Sequence, residues 1–275
     1  MAGVVLCEPT ELYNILNQST RLSRLTETNY LCLLDARTKR EYNESHVITA
    51  RRVKQNEMGR YLVPESIELE CIKYCVVYDG KTNSLMPGDG MTAATKDPDG
   101  AAIRCARVLE CFTRHPILIL KGGYERFSVH YHFLRTQKIF WMPQELDAFQ
   151  PYPVEILPAQ LYMGNFKQAC DQQIQKDLKI IAQVNISEEM LSISMRSQLF
   201  ENEFPWLILR AIGNSKIHSV SSNPACLCSY FQRAWNHVQK CKTNMRPNRG
   251  FVQQLSDWEI QIHGSAITDI SEPYY

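Results

Sequence analysis

A chain of 275 residues, 44% hydrophobic and 21% charged, is long enough for one large core or two small ones. Its net charge of +1 gives no electrostatic reason to expect nucleic acid or an acidic membrane as a partner. Ten cysteines follow a start that has no basic flank and is cut short by Glu8-Pro9, so reduced thiols are expected rather than a disulfide framework. No apolar run is long enough to span a bilayer, and residues 12–26, although free of acids and carrying Arg21 and Arg24, follow Glu8 and Glu11, which do not suit a transit peptide. A cytoplasmic location is the expectation.

In chain order, Glu8-Pro9-Thr10-Glu11 opens a helix, because proline is tolerated in a first turn and acids suit its positive end; Leu12, Ile15 and Leu16 give it an apolar face. Leu31-Cys32-Leu33-Leu34 is a buried strand that stops at Asp35-Ala36-Arg37, where a carboxylate and a guanidinium can fix one another by a charge-assisted bond. Glu41-Tyr42 reads as one helical turn, and residues 44–48 lead onward. Pro64-Glu65-Ser66 starts a predicted helix through Ile67, Leu69 and Ile72, followed by a second strand over residues 74–78. Residues 80–100, rich in Gly, Pro, Asp, Thr and Lys, cannot bury a core and read as a mobile loop. Helical spacing returns over 101–112, a third strand covers 117–120, and Lys121-Gly122-Gly123 turns into an aromatic-rich helix over 124–133. Strands alternating with helices at this spacing predict a parallel α/β sheet.

Residues 143–153, ending in Pro151-Tyr152-Pro153, read as a linker. Beyond it the pattern restarts: short strands at 154–158 and 161–165, a helix through Ile174 and Leu178, and a buried strand over 180–186. Phe204-Pro205-Trp206-Leu207-Ile208-Leu209 can add a strand. Two more helices follow, over 232–240 and from 247 onward, the second with Asn248 as N-cap and Phe251, Leu255, Trp258 and Ile262 on one face. The domains expected are residues 1–142, with the loop 80–100, then 154–263 after the linker, then a tail over 264–275.

The stretch YLCLLDARTKREYNESHVITA resembles the rhodanese pattern: a strand ending in Asp-x-Arg, a Glu-Tyr turn, a His followed by an aliphatic pair, then Ala. Leu120-Lys121-Gly122-Gly123-Tyr124 resembles the last strand and turn of the same family. The second half is similar to a dual-specificity phosphatase domain, in its opening strands and in its closing helices from Gln232 to Lys240 and from Pro247. The two in this order are the layout of the MAP-kinase phosphatases, and the wording is nearest to the serine/threonine/tyrosine-interacting-like pseudophosphatases. The expected architecture is therefore α/β: a rhodanese-like parallel-sheet domain, then an incomplete phosphatase-like α/β domain, shortened by the loss of its phosphate-binding region.

The chemistry of both families is missing. A rhodanese needs a thiolate after the strand at 74–78, in a loop of N–H groups that lowers its pKa; Asp79 stands there, and a carboxylate carries no persulfide and repels an anionic donor. Cys75, Cys105 and Cys111 read as small core residues. A phosphatase of this class needs Cys-x5-Arg, and no cysteine in the chain has it; Cys226 meets Gln232 and Cys228 meets Ala234 at that spacing. Residues 187–223 offer nothing that cradles phosphate, and the second half is expected to be the less stable. His130 and His132 flank Tyr131 on a predicted helix and point apart, and Cys226-x-Cys228 lacks a second pair, so no metal and no cofactor is expected. Asp35 and Arg37 read as a structural ion pair. Arg51, Arg52 and Lys54 fall where MAP-kinase phosphatases carry a basic cluster that docks the kinase, although the run is shorter here.

The reading is a catalytically inactive binding protein. The resemblance implies protein partners, namely phosphatases, MAP kinases or stress-granule proteins, with a possible mitochondrial association, and neither nucleic acid nor membrane. Two alternatives stand beside it: residual phosphatase or sulfurtransferase activity, and a truncated splice form without function.

Overall fold

The computed structural model describes residues 3–19, 21–64, 67–85, 100–185 and 206–209, and toward the carboxyl end residues 233, 236–243, 250, 253–254, 256–257, 260–261 and 264. The chain divides into two units, Met1–Pro151 and Tyr152–Tyr275.

The first unit is built on a five-stranded, all-parallel sheet. Its strands are β1 (Val4–Cys7), β2 (Leu31–Asp35), β4 (Arg51–Arg52), β5 (Tyr74–Tyr78) and β6 (Ile117–Leu120), in the order β1-β6-β5-β2-β4. β5 lies in the middle, flanked by β2 (Leu33 opposite Val76) and β6 (Val76 opposite Leu118), and its residues 75–78 are all buried. That burial explains the continuous apolar run, since a parallel strand covered on both faces has no polar side. Helices α1 (Pro9–Leu16), α2 (Lys39–Glu44), α3 (Ala101–Leu109) and α4 (Gly123–His130) supply the connections, and β3 (His46–Val47) pairs antiparallel with β7 (Arg135–Thr136). One core gathers Leu34, Val77, Ile103, Ala106, Leu109 and Ile119 between the sheet and α3.

Because all five strands run the same way, their carboxyl ends share one rim. Asp35 ends β2, Asp79 follows β5 and Lys121 follows β6, all at the rim where open α/β sheets present their sites. Tyrosine hydroxyls tie the connecting loops to this frame. Tyr42 donates to the carbonyl of Ala50 at 2.8 Å, Tyr61 to that of Ala36 at 3.0 Å, and Tyr30 to that of Ile15 at 2.8 Å.

Several expectations need correction here. β1 pairs along its length with β6, so residues 4–7 are a structural strand, although the sequence shows there only an unremarkable start. No α-helix runs through 67–72; Leu69–Cys71 forms a single 3-10 turn. Ile67, Leu69 and Ile72 all pack on the same core, and a spacing of two and then three suits a tight turn, whereas an α-helix would put 67 and 69 on opposite sides. The helix expected over 124–133 stops at His130, because Tyr131 turns inward to stack on Tyr13 at 4.5 Å; His132–Leu134 continues as a 3-10 turn. Within the expected linker, Pro143–Ala148 is itself a 3-10 helix whose Leu146 is fully buried. Of the loop at 80–100, residues 86–99 lie outside the described residues.

The second unit opens with the hairpin β8 (Val154–Leu157) and β9 (Leu161–Gly164), followed by α5 (Phe166–Cys170), α6 (Gln172–Asp177), β10 (Ala182–Asn185) and β11 (Trp206–Leu209). Its sheet is antiparallel throughout, in the order β10-β11-β9-β8. The segment at 180–186 does contain a strand, but an outer one, and Ile181, Ala182 and Gln183 are exposed rather than buried. Glu155 is buried where the hairpin turns; its Oε1 accepts the N–H of Ala159 at 2.6 Å and the hydroxyl of Tyr162 at 2.9 Å. Val154, Ile156 and Cys241 form a small core with Leu161, Met163 and Val238 packed on it. Residues 236–241 are helical, as are the described residues from 250 to 261. Asn248, Phe251, Leu255, Trp258, Ile262 and the stretch at 187–205 lie outside the described residues, as does most of the tail.

Thr49, between β3 and β4, is a strained position. It is β-branched at φ 65°, and its hydroxyl is buried without a hydrogen-bond partner. Thr49→Gly is expected to raise the stability of the first unit by about 1 kcal/mol. The measurement is the denaturant midpoint at unchanged slope, and a lower midpoint for the glycine variant would refute the strain.

Candidate functional site

The site begins with the first residue after β5. Asp79 is buried, and its carboxylate meets a full set of donors. Oδ1 accepts the backbone N–H of Lys81 at 3.0 Å and of Thr82 at 2.9 Å. Oδ2 accepts the Thr82 hydroxyl at 2.6 Å and the N–H of Ala102, in the first turn of α3, at 3.0 Å. A tight loop of N–H groups opening onto a helix start is the usual way a protein holds an anion. Here the anion is the chain's own side chain. Asp79 does repel incoming anions, as its charge predicts, but it does not disrupt the cradle; it fills it.

The loop is held on its other side by α4. The N–H of Tyr124 donates to the Asp79 carbonyl at 2.7 Å, that of Glu125 to Gly80 at 3.0 Å, and that of Gly122 to Thr82 at 2.7 Å. These bonds use N–H groups that a helix start otherwise leaves without partners. Such closeness needs glycine. A Cβ on Gly123, at φ +55°, would lie 2.5 Å from the Asp79 carbonyl oxygen and from backbone atoms of Gly80 and Lys81; one on Gly100 would run into the Thr82 hydroxyl.

Beside this loop lies the second charged group of the rim. Asp35 and Arg37 are 0% and 6% exposed in their side chains. The guanidinium grips the carboxylate in two places, Nε to Oδ1 at 3.0 Å and Nη2 to Oδ2 at 2.6 Å, and Nη2 also donates to the Ser45 carbonyl at 2.7 Å. Its central carbon sits 3.7 Å from the centroid of the Tyr124 ring. Burial alone would lower the Arg37 pKa, but the hydrogen bond and charge of Asp35 hold it above its ordinary value. Burial, with Asp35 nearby, also pushes Tyr78 far up, so its hydroxyl stays neutral and accepts the Val47 N–H at 3.2 Å. Arg37 is committed to protein partners on both faces of its fork, which leaves it a strut and not a grip for a substrate anion.

Cys7, the thiol at the rim itself, ends β1 fully buried, and burial pushes its pKa far up. Cys75 faces Cys32 across β2 and β5, and its pKa is driven up by the hydrogen bond to Cys32 and by burial. Cys105 is pushed up to about 12, mainly by burial. Cys111 is exposed on the turn after α3 and not in the core expected for it. In the second unit Cys241 lies 3.6 Å from His237, one turn apart on a helix, which looks like a thiol–imidazole pair. The same ring nitrogen, Nε2, is 2.6 Å from the Ile156 carbonyl, so it carries the proton and cannot take one from the thiol. Cys226 and Cys228 lie outside the described residues. His130 is exposed at the end of α4, with Nδ1 2.8 Å from the Arg126 carbonyl, and among the described residues no cluster of histidine, cysteine and carboxylate could hold a metal.

Residues 9–130 match a family model described as a rhodanese-like domain. The match to that family's model covers β2 through α4, and with them both charged groups of the rim; β1 lies just before it. No curated protein matches the chain. No helix among the described residues is long and apolar enough to cross a membrane. Within the matched residues Asp79 directly follows β5, and its backbone surroundings are those of an anion cradle.

The basic residues Arg51, Arg52 and Lys54 are not part of this site. Arg51 and Arg52 form the outermost strand, β4, with Arg51 exposed and Arg52 half-buried, and Lys54 begins a hairpin whose Gln55 pairs with Tyr61. That pairing puts Lys54 and Arg60 on the same exposed side, an arginine missed in the sequence because its closeness depends on the hairpin. Thr82 and Ala102 were missed for a similar reason, being twenty residues apart and joined only through Asp79.

Two substitutions measure how much the rim depends on its carboxylates. Arg37→Met leaves Asp35 buried without a partner and is expected to cost about 3–5 kcal/mol. Asp79→Ala strands the donors of Lys81, Thr82 and Ala102 and is expected to cost about 2–3 kcal/mol. Equilibrium denaturation checks both, and an Asp79→Ala variant as stable as the wild type would show that the loop does not rest on this side chain.

Proposed function

We propose that the chain is a non-catalytic binding protein in which the rhodanese-like domain serves as a scaffold. The observation that carries this is the Asp79 carboxylate, held by four donors in the place where sulfur transfer needs a free thiolate. A carboxylate forms no persulfide, and its charge together with its saturated donors excludes thiosulfate from the cradle. Residual sulfurtransferase activity is the rival reading, and the fold alone is compatible with it. Thiosulfate-to-cyanide transfer and hydrolysis of an aryl phosphate by the purified full chain are both expected to equal a heat-killed control. Turnover above that control, abolished by thiol alkylation, would falsify the proposal.

For the second unit the reading is a phosphatase-like remnant. Support comes from the sequence, where opening strands and closing helices resemble a dual-specificity phosphatase and no Cys-x5-Arg exists. A protein with this layout would act by occupying the partners of active phosphatases, or kinases. The resemblance points to a cytoplasmic location with possible mitochondrial association, and to MAP kinases, phosphatases or stress-granule proteins as partners. If a MAP kinase is one of them, Arg51, Arg52 and Lys54, joined by Arg60, form the edge that meets its acidic groove. Reversing Arg51, Lys54 and Arg60 to Glu is then expected to slow association about tenfold, more at low salt than at high. Surface plasmon resonance against a confirmed kinase partner reads this, and an unchanged on-rate leaves these residues as solvated surface.

A further inference from the structure

The last segment of the first unit shows its apolar side chains to solvent. Trp141 is 84% exposed, Met142 60%, Phe149 47% and Ile139 45%. Other large exposed apolar residues of this unit, such as Met58, Phe112 and Val129, are scattered singly, which is ordinary for a protein surface. These four lie within eleven residues, around one turn.

The turn is rigidly built. Glu145 reaches back so that Oε1 accepts the N–H of Trp141 at 3.0 Å and of Met142 at 3.1 Å, while Oε2 meets Lys138 Nζ at 2.7 Å. Those bonds hold the Glu145 carboxyl down at about 2, so it stays ionised and engaged throughout the physiological range. Below the turn, Leu146 is fully buried and Phe140 meets Phe149 edge-to-face at 5.7 Å between centroids. An exposed tryptophan on a floppy loop would lose much of its binding energy to ordering; a pinned one does not.

We infer that residues 139–149 form a docking surface for a partner protein that presents an apolar pocket to receive Trp141 and Met142. The inference rests on the reading of the chain as a binding protein, and names one of its contact surfaces. Three properties select this occupant. The patch is convex, with the largest side chain the most exposed, so the partner must be concave. It carries no excess of positive charge, since the charged residues within 139–149 are Glu145, paired with Lys138, and Asp147, whereas an anionic membrane would need an excess of bases. It is also small. Four side chains, with Trp141 the most exposed, offer on the order of 500 Å², against about 800 Å² per partner in a stable dimer, so a second copy of the chain is not held by it alone. A tryptophan in a pocket is the usual centre of a small interface that still binds.

The test uses the full chain with the photoreactive residue p-benzoylphenylalanine at position 141, and separately at the exposed control position 129, irradiated in living cells. The protein trapped at 141 is identified, purified and titrated against the unlabelled chain. The expected result is an adduct with another polypeptide at 141 and not at 129. Affinity should fall about tenfold or more for Trp141→Ala, at an unchanged melting temperature. Glu145→Gln should also weaken binding, although it removes no apolar atom. The inference is overturned by an adduct only within the chain or with a second copy of it, by no adduct, or by a purified partner indifferent to Trp141. It is equally overturned if the wild type, and not Trp141→Ala, sediments with phosphatidylcholine–phosphatidylserine vesicles. The two readings fail separately: sulfur transfer by the wild type sinks the binding-protein reading, and a partner indifferent to Trp141 sinks only this surface.

Discussion

The bond set of the Asp79 carboxylate is the constraint on which the rim of the first unit depends. The carboxyl end of a central parallel strand, the start of one helix and the loop between them each bring backbone N–H groups to one point, and N–H groups buried there need an acceptor. A bound anion can be that acceptor only part of the time. A built-in carboxylate is always present, and with it the loop closes against α4 through three further backbone bonds. The side chain that fills the cradle is thus the one that completes the loop. The Asp35–Arg37 pair repeats the principle one strand away. A buried charge is tolerable because its partner is two residues off and already oriented, and Tyr124 closes the remaining face.

Much of this was legible in the sequence, and the parts that were legible have a common cause. β5 and β6 were read to the residue because a strand buried on both faces is a short uninterrupted apolar run bounded by polar or glycine residues. Asp79 is placed by the end of β5, and Asp35 and Arg37 by the end of β2. What escaped depends on contacts between segments distant in the chain. β1 is four residues long, and only its pairing with β6 makes it a strand. Ile67, Leu69 and Ile72 looked helical until the shared core showed that their spacing suits a turn. Gly122-Gly123 was visible as a turn, but the need for glycine at 123 comes from the Asp79 loop, forty residues earlier. The Cys241–His237 contact illustrates the opposite error: a spacing that suggests chemistry is disarmed by a carbonyl on another segment.

The second unit shows how much of a local conformation capping settles by itself. Asn165 and Asp171 cap α5 and α6 with their side chains, and Glu155 pins the hairpin turn at which Ala159 sits at φ 55°. Each device settles a local conformation and none needs a distant partner. Among the described residues of this unit Val154, Ile156, Tyr162, Ala169, Ile174, Leu178 and Cys241 are buried, and three of them, Val154, Ile156 and Cys241, form one cluster. Helix caps are worth about 1 kcal/mol each, while a domain's stability comes chiefly from apolar burial. Signals of this kind are local and need no distant partner, which is why the opening of this unit is the easiest part of the second half to read.

What remains for function follows from where polar capacity is already spent. At the rim, the Asp79 carboxylate, the N–H groups around it and the Arg37 fork are committed to one another, so a ligand arriving there would have to break bonds the fold requires. The features of the first unit that are ordered and still uncommitted lie elsewhere, on the basic hairpin side that carries Lys54 and Arg60 and on the pinned apolar turn around Trp141. Both sit on short, well-fixed loops outside the sheet. Among the described residues of the first unit, the polar groups of the rim are thus spent on one another, while one charged edge and one apolar turn stay open to solvent.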